Sequence, residues 1–253
     1  MTRISPRPDV NKTRLVRLLN DLDIAETNGR RPSLAEGLEK FLNFSDAITL
    51  STALDSANQK TLSSSQTLPD RAPGNAANVE LLRVQRILVN SVVRSCTPGA
   101  GVTLIKLPSL NSDTPIESAP AYEPYQRFYL AHQRTIADTT RRLRADVRAA
   151  IAVHSPALAQ LAALDAVFDD ILWEKTRRIF STVPKLLEKR FEQLFAQYGS
   201  DASSDPTQWL ASGGWLWCFC QDMQALLLAE VDIQLQPALG LIEAFNKEVH
   251  KNP

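Results

Sequence analysis

The motif Cys218-Phe219-Cys220 is the short pattern in this chain best suited to hold a metal or a redox pair. Only one further cysteine, Cys96, is present. A zinc site needs about four nitrogen or sulfur ligands, and the three histidines show no ligand spacing to these thiols. Thiols two positions apart on a helix also point about 200° apart. The sequence therefore predicts buried, inert thiols, with no metal and no cofactor.

Groups that could perform acid–base or nucleophilic catalysis are scattered along the chain. His132 falls within a long helical pattern and His154 at a turn, while Asp169 and Asp170 are adjacent acids that point apart on a helix. The chain has no phosphate-binding G-x-x-x-x-G-K-[ST] or G-x-G-x-x-G motif and no nucleophile elbow. We therefore expect no catalytic residues and a protein that is not an enzyme.

Tryptophans gather near one glycine pair, and they form the first candidate partner surface. Trp209, Trp215 and Trp217 lie within nine residues around Gly213-Gly214. Tryptophan is enriched at the centres of interfaces, so an exposed cluster here would anchor a partner protein. The alternative is a packed cap over the open end of a long helical hairpin.

Arginines form the second candidate surface, on a long predicted helix. They are Arg141, Arg142, Arg144 and Arg148. Such a face would suit phosphate, and hence nucleic acid, but no aromatic residues are interleaved with it as nucleic-acid binding favours. The alternative is an ordinary solvated helix face.

Overall charge does not select a class of partner. The chain has 28 basic and 28 acidic residues, so no global field attracts nucleic acid or anionic lipid. Locally, residues 122–151 hold six arginines against three acids, and residues 201–253 hold seven acids against two lysines. These regions could attract each other within one chain or between copies, which leaves a homo-oligomer open. The alternative is two ordinary solvated helix faces.

No segment has the form of a secretory signal or of a membrane span. The longest apolar stretch begins at Trp215 and is interrupted by Gln221, Asp222 and Gln224, so it lacks the roughly 20 uninterrupted residues that a bilayer requires. We expect a cytoplasmic protein without a transmembrane helix.

Helical periodicity dominates the chain and predicts an all-α fold. Residues 122–198 contain no glycine, and apolar side chains recur there in steps of three, four or seven. Ser155-Pro156 has the form of an N-cap followed by a proline at the first helical position. We predict a long antiparallel helical hairpin, Tyr122–Ile151 with Ser155–Thr182, within a multi-helix bundle. Its predicted core includes Tyr129, Ile136, Leu143, Leu161, Phe168 and Leu172.

The remaining elements divide the chain into three predicted parts. Residues 1–54 form an N-terminal helical segment with a capping box at Ser33–Glu36, residues 55–75 form a flexible linker, and residues 76–253 form the main bundle. A second irregular segment covers Thr97–Pro120. Further helices are predicted over Lys185–Tyr198 and from Trp215 to about His250, the latter bent by Pro237.

The helix predicted over residues 76–94 carries a mixture of apolar side chains and arginines. Its apolar members are Val79, Leu82, Ile87, Val89 and Val93.

Six phrases of the sequence, taken in order, carry a resemblance to a known family. They are Thr13–Leu19, Phe44–Leu50, Tyr125–Tyr129, Ser155–Asp165, Val183–Phe191 and Leu235–Ala244. Together they resemble a proteobacterial all-helical family, whose members resemble the cytosolic accessory proteins encoded with MotA/MotB-like, proton-driven motor pairs in third-type Zorya anti-phage defence systems. The resemblance implies an adaptor or effector whose partners are the motor complex and a second accessory protein, and it carries over no catalytic residue.

Two functions from different classes therefore remain open. The first is a helical adaptor or effector whose function resides in its surfaces. The second is a nucleic-acid-binding or nucleolytic effector with an unrecognised site. Three or more acids converging in a pocket beside the Arg141–Arg148 face would favour the second function, and an exposed tryptophan patch on a smooth helical body would favour the first.

Overall fold

The computed structural model describes residues 14–23, 51–52, 73–97, 103–108, 121–199 and 206–251 of the 253-residue chain. The capping box predicted at Ser33–Glu36 lies outside the described residues. So does most of the linker predicted over 55–75, whose last three residues already belong to a helix.

The described residues form an all-α bundle, as the sequence predicts, and contain no strand. A single π-helical turn, Phe195–Gly199, follows the fifth helix. The α-helices are α1 (Arg14–Asp23), α2 (Pro73–Cys96), α3 (Glu123–Ala152), α4 (Pro156–Phe180), α5 (Val183–Leu194), the short α6 (Pro206–Trp209) and α7 (Trp215–Lys251).

Helix α7 is the centre of the bundle. It packs most extensively against α3 and α2, and it also contacts α1, α5 and α4. It continues past Pro237, which lies inside the helix. Its side chains supply much of the core, including Leu216, Phe219, Met223, Leu226, Leu227, Val231 and Ile242, each at most 1% exposed.

Length and composition alone would allow α7 to cross a membrane. Its residues 215–250 include a window with mean hydropathy 1.4, and half of that window is buried within the bundle. The core helix of a water-soluble bundle has the same properties, so α7 is compatible with a soluble protein and is weak evidence for a membrane span.

The predicted hairpin is present as α3 and α4. Ser155 caps α4, since its Oγ accepts a hydrogen bond from the amide of Leu158 at 3.2 Å, and Pro156 begins the helix. On α3 the predicted core residues are buried: Tyr129, Ile136 and Leu143.

The predicted core is wrong in detail on α4. Leu161, Phe168 and Leu172 are only half-buried, and the buried positions of this helix are Leu158, Ala162 and Asp169. Helix α4 lies along α3 but makes little contact with α7, so only a narrow strip of it is covered.

Helix α2 buries a different face from the one marked by its apolar residues in the sequence. Its core positions are Leu81, Val84, Leu88 and Val92, whereas Val79 and Leu82 are more than 60% exposed. The helix therefore has apolar side chains on both sides, and the described residues cover only one of them.

Substitution of Leu143 tests the apolar face of α3. Leu143 is 3% exposed, so Leu143→Asp places an unpaired charge in the core, and we expect a loss of about 4 kcal/mol in the free energy of unfolding. The matched control is Ala145→Asp, at an exposed position of the same helix, which should change stability by less than about 1 kcal/mol. Urea denaturation measures both; equal midpoints for Leu143→Asp and wild type would show that this face is misassigned.

Candidate functional site

The predicted tryptophan surface is largely core. Trp209 is 2% exposed and Trp215 is 3% exposed, while Trp217 is half-buried. The expectation of an exposed anchor is therefore wrong for Trp209 and Trp215, and the packed cap describes them. Their indole N–H groups have no hydrogen-bond partner among the described residues.

Aromatic packing explains why these two indoles are buried. The Trp209 and Trp215 rings lie 5.6 Å apart, and Trp215 meets the rings of Phe191 at 5.2 Å and Phe195 at 5.4 Å, both close to perpendicular. Edge-to-face pairs of this kind stabilise beyond the area that they bury. The cluster thus joins α6, α5 and the π-helical turn to the start of α7.

Glycines make the close turn in front of α7. Gly213 has φ +89°, a conformation that other residues rarely adopt, and a Cβ at Gly214 would lie 2.4 Å from the carbonyl oxygens of Gln208 and Trp209. The glycine pair therefore serves tight packing of the tryptophans, and it is not a hinge for an exposed anchor.

The predicted arginine face is mostly an ion-pair cluster between α3 and α4. Arg144 contacts Asp165 at 2.7 Å and Asp169 at 2.8 Å, and Arg148 reaches both carboxylates at 3.1 Å. All four side chains are at most 16% exposed. Two cations and two anions sharing one site cancel in charge, so this part of the face presents little positive field to solvent.

The other two arginines are more exposed. Arg141 lies 4.5 Å above the Trp173 ring and contacts Asp170 at 3.2 Å. Its guanidinium therefore makes both a cation–π contact and an ion pair. Arg142 is exposed on α3. Of the four predicted residues, only Arg142 stands outside this network in the described part of the chain.

A polar group that sequence reasoning missed lies at the centre of the bundle. Glu230, on α7, is 0% exposed. Its Oε1 accepts a hydrogen bond from the Tyr129 hydroxyl at 2.6 Å and one from Gln133 Nε2 at 3.0 Å, and Gln133 Nε2 lies 3.2 Å from its Oε2. Gln133 Nε2 also reaches the carbonyl of Phe180 at the end of α4, at 3.2 Å. Glu230 and Gln133 together thus connect α7, α3 and the end of α4.

Burial dominates the ionisation of Glu230. It raises the pKa of this carboxyl to about 7, because the charged form loses its hydration, and the hydrogen bonds from Tyr129 and Gln133 offset only part of that effect. No cation contacts Glu230 among the described residues. Its carboxyl and the Tyr129 side chain are shielded from solvent, so the group suits a structural role and not turnover of a substrate.

The remaining candidates for chemistry are also buried and neutral. Burial raises the pKa of Cys96 and of Cys220 to about 12, which keeps both thiols protonated. The prediction of buried thiols is confirmed for these two and is wrong for Cys218, which is half-buried. Burial lowers the pKa of His132 to about 4, and its Nε2 has no partner among the described residues. Within the described ranges, no three His, Cys, Asp or Glu side chains are grouped so that they could hold a metal ion.

Comparison of the sequence with known protein families gives the family of this chain. Residues 1–247 match the profile of DUF3348, a family described as protein of unknown function. The chain belongs to the DUF3348 family. No curated protein and no solved structure matches it. Membership of DUF3348 therefore gives the family of this bundle and leaves its activity to be inferred from its surfaces.

The ionisation of Glu230 predicts a pH dependence of stability. Its pKa is about 7 in the folded protein against an ordinary 4.5, so its contribution is fully present below pH 4.5 and is lost as the pH rises to 7. The loss is about 3 kcal/mol. Glu230→Gln cannot ionise, so its free energy of unfolding relative to wild type should increase by about that amount between pH 4.5 and 7.5.

Urea denaturation across this pH range measures the difference between the two proteins. Subtracting the two curves removes the contribution of His132, which is the same in both proteins. The lowered pKa of His132 reduces the stability of the fold as the pH falls from 6.5 towards 4, opposite to the effect of Glu230. The matched control is Glu243→Gln, at an exposed position of α7, which should follow wild type. Parallel curves for wild type and Glu230→Gln would show that Glu230 ionises freely.

Proposed function

We propose that this DUF3348 protein is a helical adaptor or effector that acts by binding other proteins. The observation that carries the proposal is apolar surface left open on a packed body. On α2, Val79 is 61% exposed and Leu82 is 63% exposed, and Ile87 and Val93 on the same helix are 46% and 36% exposed. Of these, Val79, Leu82 and Val93 recur at helical spacing on one face, and exposed apolar side chains that share a face are typical of a protein-interaction site.

The resemblance to motor-associated accessory proteins supports a more specific proposal. We propose that its partners are a MotA/MotB-like, proton-driven membrane motor complex and a second cytosolic accessory protein of an anti-phage defence system. The protein itself lies in the cytoplasm. A bundle whose most apolar helix is covered by other helices is compatible with that location.

The nucleic-acid alternative remains a prediction with less support than before. It depended on the arginines of α3, and Arg144 and Arg148 are engaged with Asp165 and Asp169. The three aspartates near these arginines are ion-pair partners, so they do not form the free acid cluster that a nucleolytic site would need.

Co-purification with the motor tests the adaptor proposal. The tagged chain, expressed with the motor pair and extracted in mild detergent, should retain both motor subunits, and removing its gene should abolish protection in a phage-challenge assay. A tagged unrelated helical protein is the control. Complete loss of the motor subunits in the wash, together with salt-dependent binding of an oligonucleotide, would replace the adaptor with the nucleic-acid-binding alternative.

A further inference from the structure

The outer face of α2 carries a regular apolar stripe. Its positions are 79, 82, 86, 89 and 93, which alternate in steps of three and four residues. This is the spacing of the seam along which one helix packs against another. Four of the five positions are apolar, and Val79, Leu82 and Val93 are at least 36% exposed. We call these five residues the α2 seam.

The opposite face of α2 is the one that packs this helix against the rest of the bundle. Leu81, Val84, Leu88 and Val92 are at most 7% exposed and pack into the core. A helix that is apolar on two sides is normally covered on both. Val79, Leu82 and Val93 of the α2 seam are therefore not needed for the fold of the described residues, whereas Val89 is half-buried against the core.

A groove beside the seam extends its apolar surface. The groove lies between α2, α7 and α1, has a volume of about 510 Å³, and shares Leu82 with the seam. The charged residues Arg14 and Asp232 also line it. Ile233 and Leu239 of α7 line its other wall, and both are half-buried. A helix laid on the seam would also contact this wall.

The charge at the middle of the seam indicates which charge a partner should carry opposite it. Arg86 stands at the middle position, is exposed, and has no carboxylate partner among the described residues. Arg83, beside it, is neutralised by Glu80, with its Nε 2.7 Å from the Glu80 carboxylate. The seam thus has apolar residues on both sides of one open positive charge.

This arrangement disfavours a second copy of the same chain as the partner. In a parallel pair of seams, Arg86 would meet Arg86 of the other copy. In an antiparallel pair centred on position 86 it would do the same. Like charges facing each other at the centre of an interface select against that pairing.

We propose that the α2 seam binds an amphipathic helix of a partner protein that carries a carboxylate opposite Arg86. The partner's apolar stripe packs on Val79, Leu82, Val89 and Val93, and its acidic residue pairs with the open guanidinium. The inference rests on the proposed function as an adaptor, and it specifies the surface and the chemistry of the partner.

Two synthetic peptides test the seam directly. Each is a three-heptad amphipathic helix with leucine at the seam positions and with either glutamate or lysine at the central one. Fluorescence anisotropy against the full chain should show that the glutamate peptide binds at least about tenfold more tightly than the lysine peptide. Arg86→Glu should reverse this preference, and Arg134→Glu, at an exposed position of α3, should leave it unchanged.

Two results would overturn the proposal. One is equal binding, or no binding, of both peptides by a wild-type chain that melts cooperatively. The other is a dimer in sedimentation velocity that Leu82→Asp dissociates, which would make the seam a contact between copies. Leu82 is exposed, so Leu82→Asp should keep the circular dichroism and melting of wild type.

Leu82→Asp also separates this inference from the adaptor proposal. In the motor co-purification, wild type that retains the motor and Leu82→Asp that loses it would support both. Equal retention by the two proteins would reject the seam and keep the adaptor. Failure of wild type to retain the motor, with glutamate-selective peptide binding intact, would reject the motor as partner and keep the seam.

Discussion

The need to cover α7 determines the rest of the structure. This helix is apolar around much of its circumference, and its central side chains, from Leu216 through Leu226 to Ile242, are almost fully removed from water. Burial of each such side chain contributes about 1.5–3 kcal/mol to the stability of the fold. One neighbouring helix could cover only one side of α7, so several helices are needed to bury them all. Helices α2, α3, α5 and α1 pack around α7 for this reason, while α4 is held mainly by α3 and exposes more of its surface.

Polar groups inside this apolar frame fix how the helices align. An apolar face tolerates sliding of one helix along another, whereas a buried carboxyl must find its donors. Glu230 accepts hydrogen bonds from Tyr129 and Gln133 on α3. One turn later on α7, Gln234 Oε1 lies 3.2 Å from Thr140 Oγ1 of α3. We infer that these contacts set the register of α3 against α7. They need not add net stability, because the desolvation of Glu230 is costly.

Sequence periodicity predicted the hairpin well and its polar contacts poorly. The Ser155-Pro156 signal is local, so it needs no knowledge of neighbouring helices, and the structure confirms it. The ion pairs of Arg144 and Arg148 depend on register. A signal did exist: Arg144 and Arg148 are four residues apart, as are Asp165 and Asp169, and one pair precedes the Ser155-Pro156 turn while the other follows it. Glu230 was missed because an acid in an apolar run also looks like a break in that run.

Hydrogen exchange followed by mass spectrometry tests the central place of α7 most directly. If α7 is enclosed by the other helices, its amides between Met223 and Ile242 should exchange only on global unfolding, at least about 100-fold more slowly than those of α4, whose buried strip is narrow. The same protection should be found in detergent-free buffer. Exchange of the α7 amides as fast as those of α4 in that buffer would contradict the account.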